Sequence, residues 1–349
     1  MKKKWSETRS KDHNRRISNA SIKRRIERRA KAKAAHVDGS AAKSVVERRA
    51  RSPVQFYAPA ILSLSDHPTE CVNFFADLYS FHKRRNVFVD LSMVTKITPD
   101  AIALLVSLVL RIAHRQKVNI SGNYPDDLAA TEMIRASGFD HYLKSSAPST
   151  AKLKGAILKR DVVLESRQAN PQDARRLIDF AAKDDRNIGR LRGAYENLLE
   201  CMGNTRQHAA KTEGTENWWA SVFKDNNRGC DCFTFVDMGV GIFESVELNL
   251  RLKILSIFNL GRIEVMQKLL AGEIPSSTGK HYRGKGLPSI RDSLMIHRAL
   301  SRLVLVTNDV YVDVEPNRFE KLSRPLNGLL LYWEVPYANR RVATRSNQA

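Results

Sequence analysis

The change in composition near residue 52 constrains this chain most, because it confines any core to the residues beyond that point. Residues 1–52 hold 18 Lys or Arg against Glu7, Asp12, Glu27, Asp38 and Glu47, a net of +13 out of the chain's +21. That stretch is Ala-rich and poor in large apolar side chains, so it buries too little surface to offset its ordering entropy. It reads as a basic arm, mobile or partly helical, with Ile17–Ala35 able to form a helix on an anionic surface. A solubilising tail is the equal alternative. The remaining residues are enough for two domains of ordinary size.

The four cysteines, Cys71, Cys201, Cys230 and Cys232, are too few for a disulfide framework. No apolar run approaches the roughly 20 residues of a membrane span. The expectation is therefore a cytoplasmic protein with no transmembrane segment.

From Pro53 to about Leu143, short β-like runs alternate with helical ones, which predicts an α/β layer structure. Val87–Leu91 reads as a strand, Ala101–His114 as an apolar helix, Lys117–Ser121 as a strand and Asp127–Ser137 as a short helix. Ser145–Ala151 has linker composition. Beyond it, helices are expected over Pro171–Lys183 and Ile188–Ala209, and strands over Trp218–Phe223, Cys232–Asp237, Leu303–Thr307 and Gly328–Val335. A long amphipathic stretch covers Glu244–Ala271. A sheet with helices on one face is the layer arrangement this order predicts.

Three separated motifs converge on one chemistry. In the first, Glu200, Asn204 and His208 stand four residues apart on a helix and share a face. An Asn carbonyl oxygen together with phosphates suits Mg²⁺, and a neighbouring carboxylate can accept a proton. In the second, Asp237-Met-Gly239-Val-Gly241-Ile242 follows the apolar run Phe233–Val236. An acid at a strand end can accept from an exocyclic amine, and glycines allow close backbone approach; a plain two-glycine turn is the competing reading. In the third, Thr278, Gly279, Arg283, Gly284, Lys285, Gly286 and Leu287 belong to a cationic loop that runs into a helix near Pro288. Backbone amides and cations there suit triphosphate oxygens, although the spacing is not that of a Walker loop.

In order and spacing these motifs resemble the N, G1 and G2 boxes of the GHKL ATPases, the superfamily of histidine kinases, gyrase-type topoisomerases, mismatch-repair ATPases and anti-sigma-factor kinases. The resemblance spans roughly residues 160–337. It implies a Bergerat-type α/β sandwich binding ATP and Mg²⁺. In it Glu200 resembles the general base, Asn204 the Mg²⁺ ligand, Asp237 the adenine-reading acid, and Gly239 and Gly241 the floor of the base pocket, with Ile242 beside them in the nucleotide site. Gly284, Lys285 and Gly286 would flank the phosphates, Thr278, Gly279, Arg283 and Leu287 would belong to the same nucleotide-binding loop, and Thr307 would support the adenine through water. The segment from Ile242 to Gly279 corresponds to the ATP lid.

Val87-Phe-Val-Asp90-Leu-Ser-Met-Val-Thr-Lys-Ile97-Thr98-Pro99-Asp100-Ala101, with Gly138–Leu143 later, resembles the strand, loop and helix of a STAS domain over about residues 54–143. The signalling members carry Asp-Ser-Ser-Gly in that loop, with a serine phosphorylated by a GHKL kinase. Here Thr98-Pro99-Asp100-Ala101 replaces it, and Thr98 and Ser92 are the nearest hydroxyls. The implied organisation is a basic arm over 1–52, a STAS-like domain over 53–144, a linker over 145–158, a GHKL domain over 159–338 and a tail over 339–349.

Three function classes remain open at this point: an ATPase or protein Ser/Thr kinase of the GHKL class, a non-enzymatic ATP-gated interaction module, and a nucleic-acid-linked ATPase using residues 1–52. A protein partner or phosphoacceptor is expected, and homodimerisation stays open. Histidine autokinase activity is excluded, since none of His36, His67, His82, His114 or His141 has the context of a phosphoacceptor helix. Cys230 and Cys232 read as a strand entrance rather than a zinc half-site, and Trp218 and Trp219 as packing residues.

Overall fold

The computed structural model describes residues 52–81, 85–139, 155–161, 171–183, 188–209, 217–247, 261–274, 286–295 and 300–337. The basic arm and the loop residues Thr278, Gly279, Arg283, Gly284 and Lys285 lie outside them. Among the described residues, the fold is mixed α/β.

The first part builds a three-stranded parallel sheet in the order β1 (Val54–Tyr57), β3 (Val87–Asp90), β5 (Ile120–Gly122). A parallel pair joins β2 (Ile61–Leu62) to β4 (Lys96–Ile97). Three helices accompany these strands: α1 (Pro68–Tyr79), α2 (Pro99–Gln116) and α3 (Leu128–Ala136). Pro occupies the first helical position of α1 and α2, where a missing N–H has no consequence. Asp127 caps α3, its Oδ1 accepting from the Ala130 amide at 2.8 Å. Lys117, expected to open a strand, is instead the left-handed C-cap of α2 (φ 52°), and β5 starts three residues later.

The second part is a five-stranded antiparallel sheet in the order β6 (Gly155–Asp161), β7 (Asn217–Asp225), β8 (Cys230–Asp237), β10 (Arg318–Pro336), β9 (Arg302–Asp313). Strand β6 begins inside the stretch expected to be a linker, a correction of that boundary. Helices α4 (Pro171–Ala182), α5 (Arg192–Ala209, led by a 3₁₀ turn at Ile188–Leu191), α6 (Ile242–Glu247), α7 (Arg262–Ala271) and α8 (Gly286–Met295) complete it. The expected single amphipathic stretch over 244–271 thus contains α6 and α7, with residues 248–260 outside the described set.

Alternation along the strands shows how the sheet is covered, because successive side chains point to opposite faces. Phe233, Phe235, Leu303, Leu305, Leu331 and Trp333 pack with Ala174, Leu177 and Leu198 of α4 and α5. Cys232, Val236, Val304, Val306, Leu330 and Tyr332 pack instead with Phe75, Leu104 and Leu108 of α1 and α2. Helices therefore lie on both faces, where one covered face was expected. The N-terminal segment supplies the second layer, which is why β8 is buried almost throughout. Trp218 and Trp219 are both buried, one on each side.

Polar contacts reinforce this shared core, which belongs to one compact unit starting at Val54. Arg302 of β9 donates to Asp313 at 2.8 Å, to Asp66 at 3.0 Å and to the Ser65 carbonyl at 2.6 Å, and the Tyr311 hydroxyl donates to the same carbonyl at 2.8 Å. Among the described residues, no helix is long and apolar enough to cross a membrane.

Candidate functional site

Strand register places the site. Asp237 pairs with Leu329 of β10, and Leu329 pairs on its other side with Thr307 of β9. Registered residues share a face, so Asp237 and Thr307 flank Leu329 on the side covered by α5. The helix carrying Glu200 and Asn204 thus lies over the strand end carrying Asp237.

Beyond Asp237 the chain makes a tight turn held by side chains. The Gly239 amide donates to Asp237 Oδ1 at 2.6 Å, and the Ile242 amide donates to Thr307 Oγ1 at 3.0 Å. Thr307 in turn donates to the Gly328 carbonyl at 2.8 Å. Asn308, itself at φ 49°, accepts from the Phe243 amide at 3.3 Å and donates to the Val240 carbonyl at 3.1 Å. Gly241 has φ +85°, and a Cβ there would lie 2.4 Å from Asn308 Oδ1, so glycine is required on both counts. Gly328 approaches as closely on the other side, since its Cβ would stand 2.0 Å from the Asp237 carbonyl oxygen.

Burial pushes the Asp237 carboxyl above the usual carboxylate range, opposed by the Gly239 amide, the Thr205 hydroxyl and the Arg111 guanidinium. Thr205 belongs to α5, so the first and second motifs meet here. Cys201, one turn earlier, is held as a neutral thiol by burial and then by the Glu200 and Asp237 carboxylates.

The third motif reaches the same place at its described end. The Gly286 amide, at the start of α8, donates to Glu200 Oε1 at 3.0 Å. That puts a carboxylate at a helix N-terminus, where the free amides and the helix dipole favour negative charge. Ser293 of α8 donates to Asn197 of α5 at 3.2 Å, fixing the two helices against each other, and Leu287 packs on the same core. Asn204 is half-buried, and a Cβ added at its neighbour Gly203 would meet nothing within 4 Å. Among the described residues, the Gly203 position of α5 is thus uncovered.

Of the predicted site residues, hydrogen bonds bring together Glu200 and Gly286, Asp237 and Gly239, and Ile242 and Thr307; Gly241 lies against Asn308, and Asn204 and Leu287 belong to α5 and α8. Among the described residues, no group of three or more His, Cys, Asp or Glu is arranged to hold a metal ion by itself. A cation here would rest on the Asn204 carbonyl oxygen together with oxygens of a ligand, and a half-buried Asn on the helix that carries Glu200 fits that use.

Sequence reasoning missed Asn308, Thr205, Gly328 and Arg111. Asn and Gly are depleted in strands, so Asn308 after the apolar run Leu303–Val306 and Gly328 before the run Leu329–Trp333 were readable signals. Thr205 carried none.

The N-terminal loop is closed rather than open. Asp100 is fully buried, accepting from the Ser65 amide at 2.8 Å and from the Thr98 hydroxyl; burial raises its carboxyl, against these hydrogen bonds. Thr98 is buried as well.

No protein-family model and no curated protein matches the chain.

Proposed function

We propose that the protein binds Mg²⁺-ATP in a GHKL-type pocket between α5, the 237–242 turn, β9 and the start of α8, as a regulatory switch with a STAS-like N-terminal layer. One observation carries this reading: three motifs distant in sequence are joined through Glu200 and Gly286, Thr205 and Asp237, and Thr307 and Ile242. A helix presenting a carboxylate and an amide, beside a half-buried acid at a strand end, is a donor and acceptor set suited to a purine nucleotide.

In this reading Asp237 accepts a hydrogen bond from the exocyclic amine, its Oδ1 already oriented by the Gly239 amide. Gly239 and Gly241 let the backbone lie close beneath the base, and Thr307 anchors the turn behind it. Asn204 would hold Mg²⁺, which neutralises phosphate charge when bound. Glu200 accepts the proton of the attacking hydroxyl or water. Gly286, the first residue of a helix, offers its amide to phosphate oxygens once Glu200 releases it. The phosphoacceptor in this reading is water or another protein, because Thr98 is buried with its hydroxyl directed at Asp100 and the Leu62 carbonyl.

The test is ATP affinity with and without Mg²⁺, then γ-phosphate release, for wild type, Asp237→Asn and Glu200→Ala. Asp237→Asn should weaken binding at least about tenfold, the scale of one hydrogen bond to a charged group. It should not lower the melting temperature at neutral pH. A carboxyl raised by the fold contributes stability below its unfolded pKa and loses it as pH rises, so the amide removes a cost. Glu200→Ala should retain binding and lose about 10²- to 10⁴-fold in turnover. Binding without turnover in wild type would leave an ATP-gated interaction module, and absence of binding at millimolar ATP would overturn the proposal.

A further inference from the structure

Asp237 and Met238 are consecutive, and they face opposite layers. The Asp237 side chain turns towards α5, whereas Met238 is 2 % exposed and packs in the core shared with α1 and α2. Two residues one helical turn apart on α2 reach it there. The Ser107 hydroxyl lies 3.6 Å from Met238 Sδ, and Arg111 Nη1 donates to the Met238 carbonyl. This carbonyl stands just past the last β8 pair with β10, Asp237 with Leu329. The guanidinium is itself held by α1, with its centre 5.3 Å from the Tyr79 ring centroid and Nη2 donating to the Tyr79 hydroxyl at 3.4 Å.

We propose that Arg111 is a positioning residue for the Asp237 turn, through which the state of the N-terminal helical layer sets the affinity of the site for its nucleotide. This rests on the ATP reading of that turn. The sheet edge grips Val240, Ile242 and Phe243 through Thr307 and Asn308, and the carbonyl between the acid and the first glycine is gripped from the other layer. The Arg111 charge also favours the Asp237 carboxylate, the form that accepts from a base amine. A partner that shifts α1 or α2 would release Met238 and loosen Asp237. By linkage, nucleotide would then change the affinity of that partner by the same factor.

The test uses the full chain as wild type, Arg111→Met, Arg111→Lys and Tyr79→Phe. Amide hydrogen exchange over residues 238–243 is measured without ligand, alongside Mg²⁺-ATP affinity and melting temperature. Arg111→Met should speed exchange in that segment and weaken ATP binding about tenfold, the scale of one charge-assisted hydrogen bond. Arg111→Lys, which keeps a donor and the charge, should recover most of both. Tyr79→Phe removes only the phenolic oxygen and should shift both in the same direction by a smaller factor. Unchanged exchange in Arg111→Met would overturn the proposal, as would faster exchange spread evenly over α2 and β8 without rescue by lysine. If wild type binds no ATP, the nucleotide reading fails by itself, and the exchange measurements still decide whether Arg111 positions the turn.

Discussion

Replacing Gly241 by alanine tests the geometry of the turn most directly. The residue has φ +85°, where a Cβ costs about 1 kcal/mol. The new methyl would also stand 2.4 Å from Asn308 Oδ1 and 2.8 Å from both Cγ and Nδ2. Asn308 must swing away, giving up its bonds to the Phe243 amide and the Val240 carbonyl, about 1 kcal/mol each. The expected destabilisation is therefore about 3 kcal/mol, read by urea unfolding at unchanged m-value. A double-mutant cycle sharpens the expectation. Asn308→Ala alone should cost about 2 kcal/mol, and the double variant should cost about 3 rather than 5, a coupling of about 2 kcal/mol. A Gly241→Ala cost below about 0.5 kcal/mol, or additive single effects, would refute the argument that Asn308 fills the space a side chain would need.

Arg302→Met should be costly, about 3–5 kcal/mol, because it leaves the buried Asp313 carboxylate without its guanidinium; Asp313→Asn in the same chain should recover part of that loss in the same unfolding assay. Burial pushes the Asp66 carboxyl up, but hydrogen bonds and charge from Arg302 and Lys96 prevail and hold it at about 2. A depressed carboxyl contributes stability above its unfolded pKa of 3.8 that is lost as pH falls through about 2. Because Asp66 is partly solvated, the acid loss it causes should be about 1–2 kcal/mol, and Asp66→Asn should flatten the stability profile between about pH 5 and pH 2 by that amount. An unchanged acid limb in that variant would count against the Arg302 pair as the tie between the N-terminal segment and β9.

Local periodicity and punctuation were enough to locate most elements. The apolar run ending in Asp237 announces a strand, the spacing of Glu200 and Asn204 announces one helix face, and Pro99 marks the start of α2. These signals depend on near neighbours along the chain, so a single sequence carries them. Strand β6 escaped because Gly155–Asp161 ends in Lys159, Arg160 and Asp161, and its alternation shows only when paired with β7.

Side-chain pattern reports that a face is apolar, and it does not report which element covers that face. Every residue of β8 before Asp237 is buried, a pattern that demanded cover on both sides. Only the tertiary structure decided that α1 and α2 form the second layer. Likewise, residue types nominated Asp237, Thr307 and Glu200, but register around Leu329 brings the first two together and packing of α8 on α5 delivers the Gly286 amide to the third. Asn308, Gly328 and Arg111 act on the turn across gaps of 67, 91 and 127 residues from Gly241, Asp237 and Met238 respectively. Contacts at such separations arise from long-range pairing, which no local window of sequence contains.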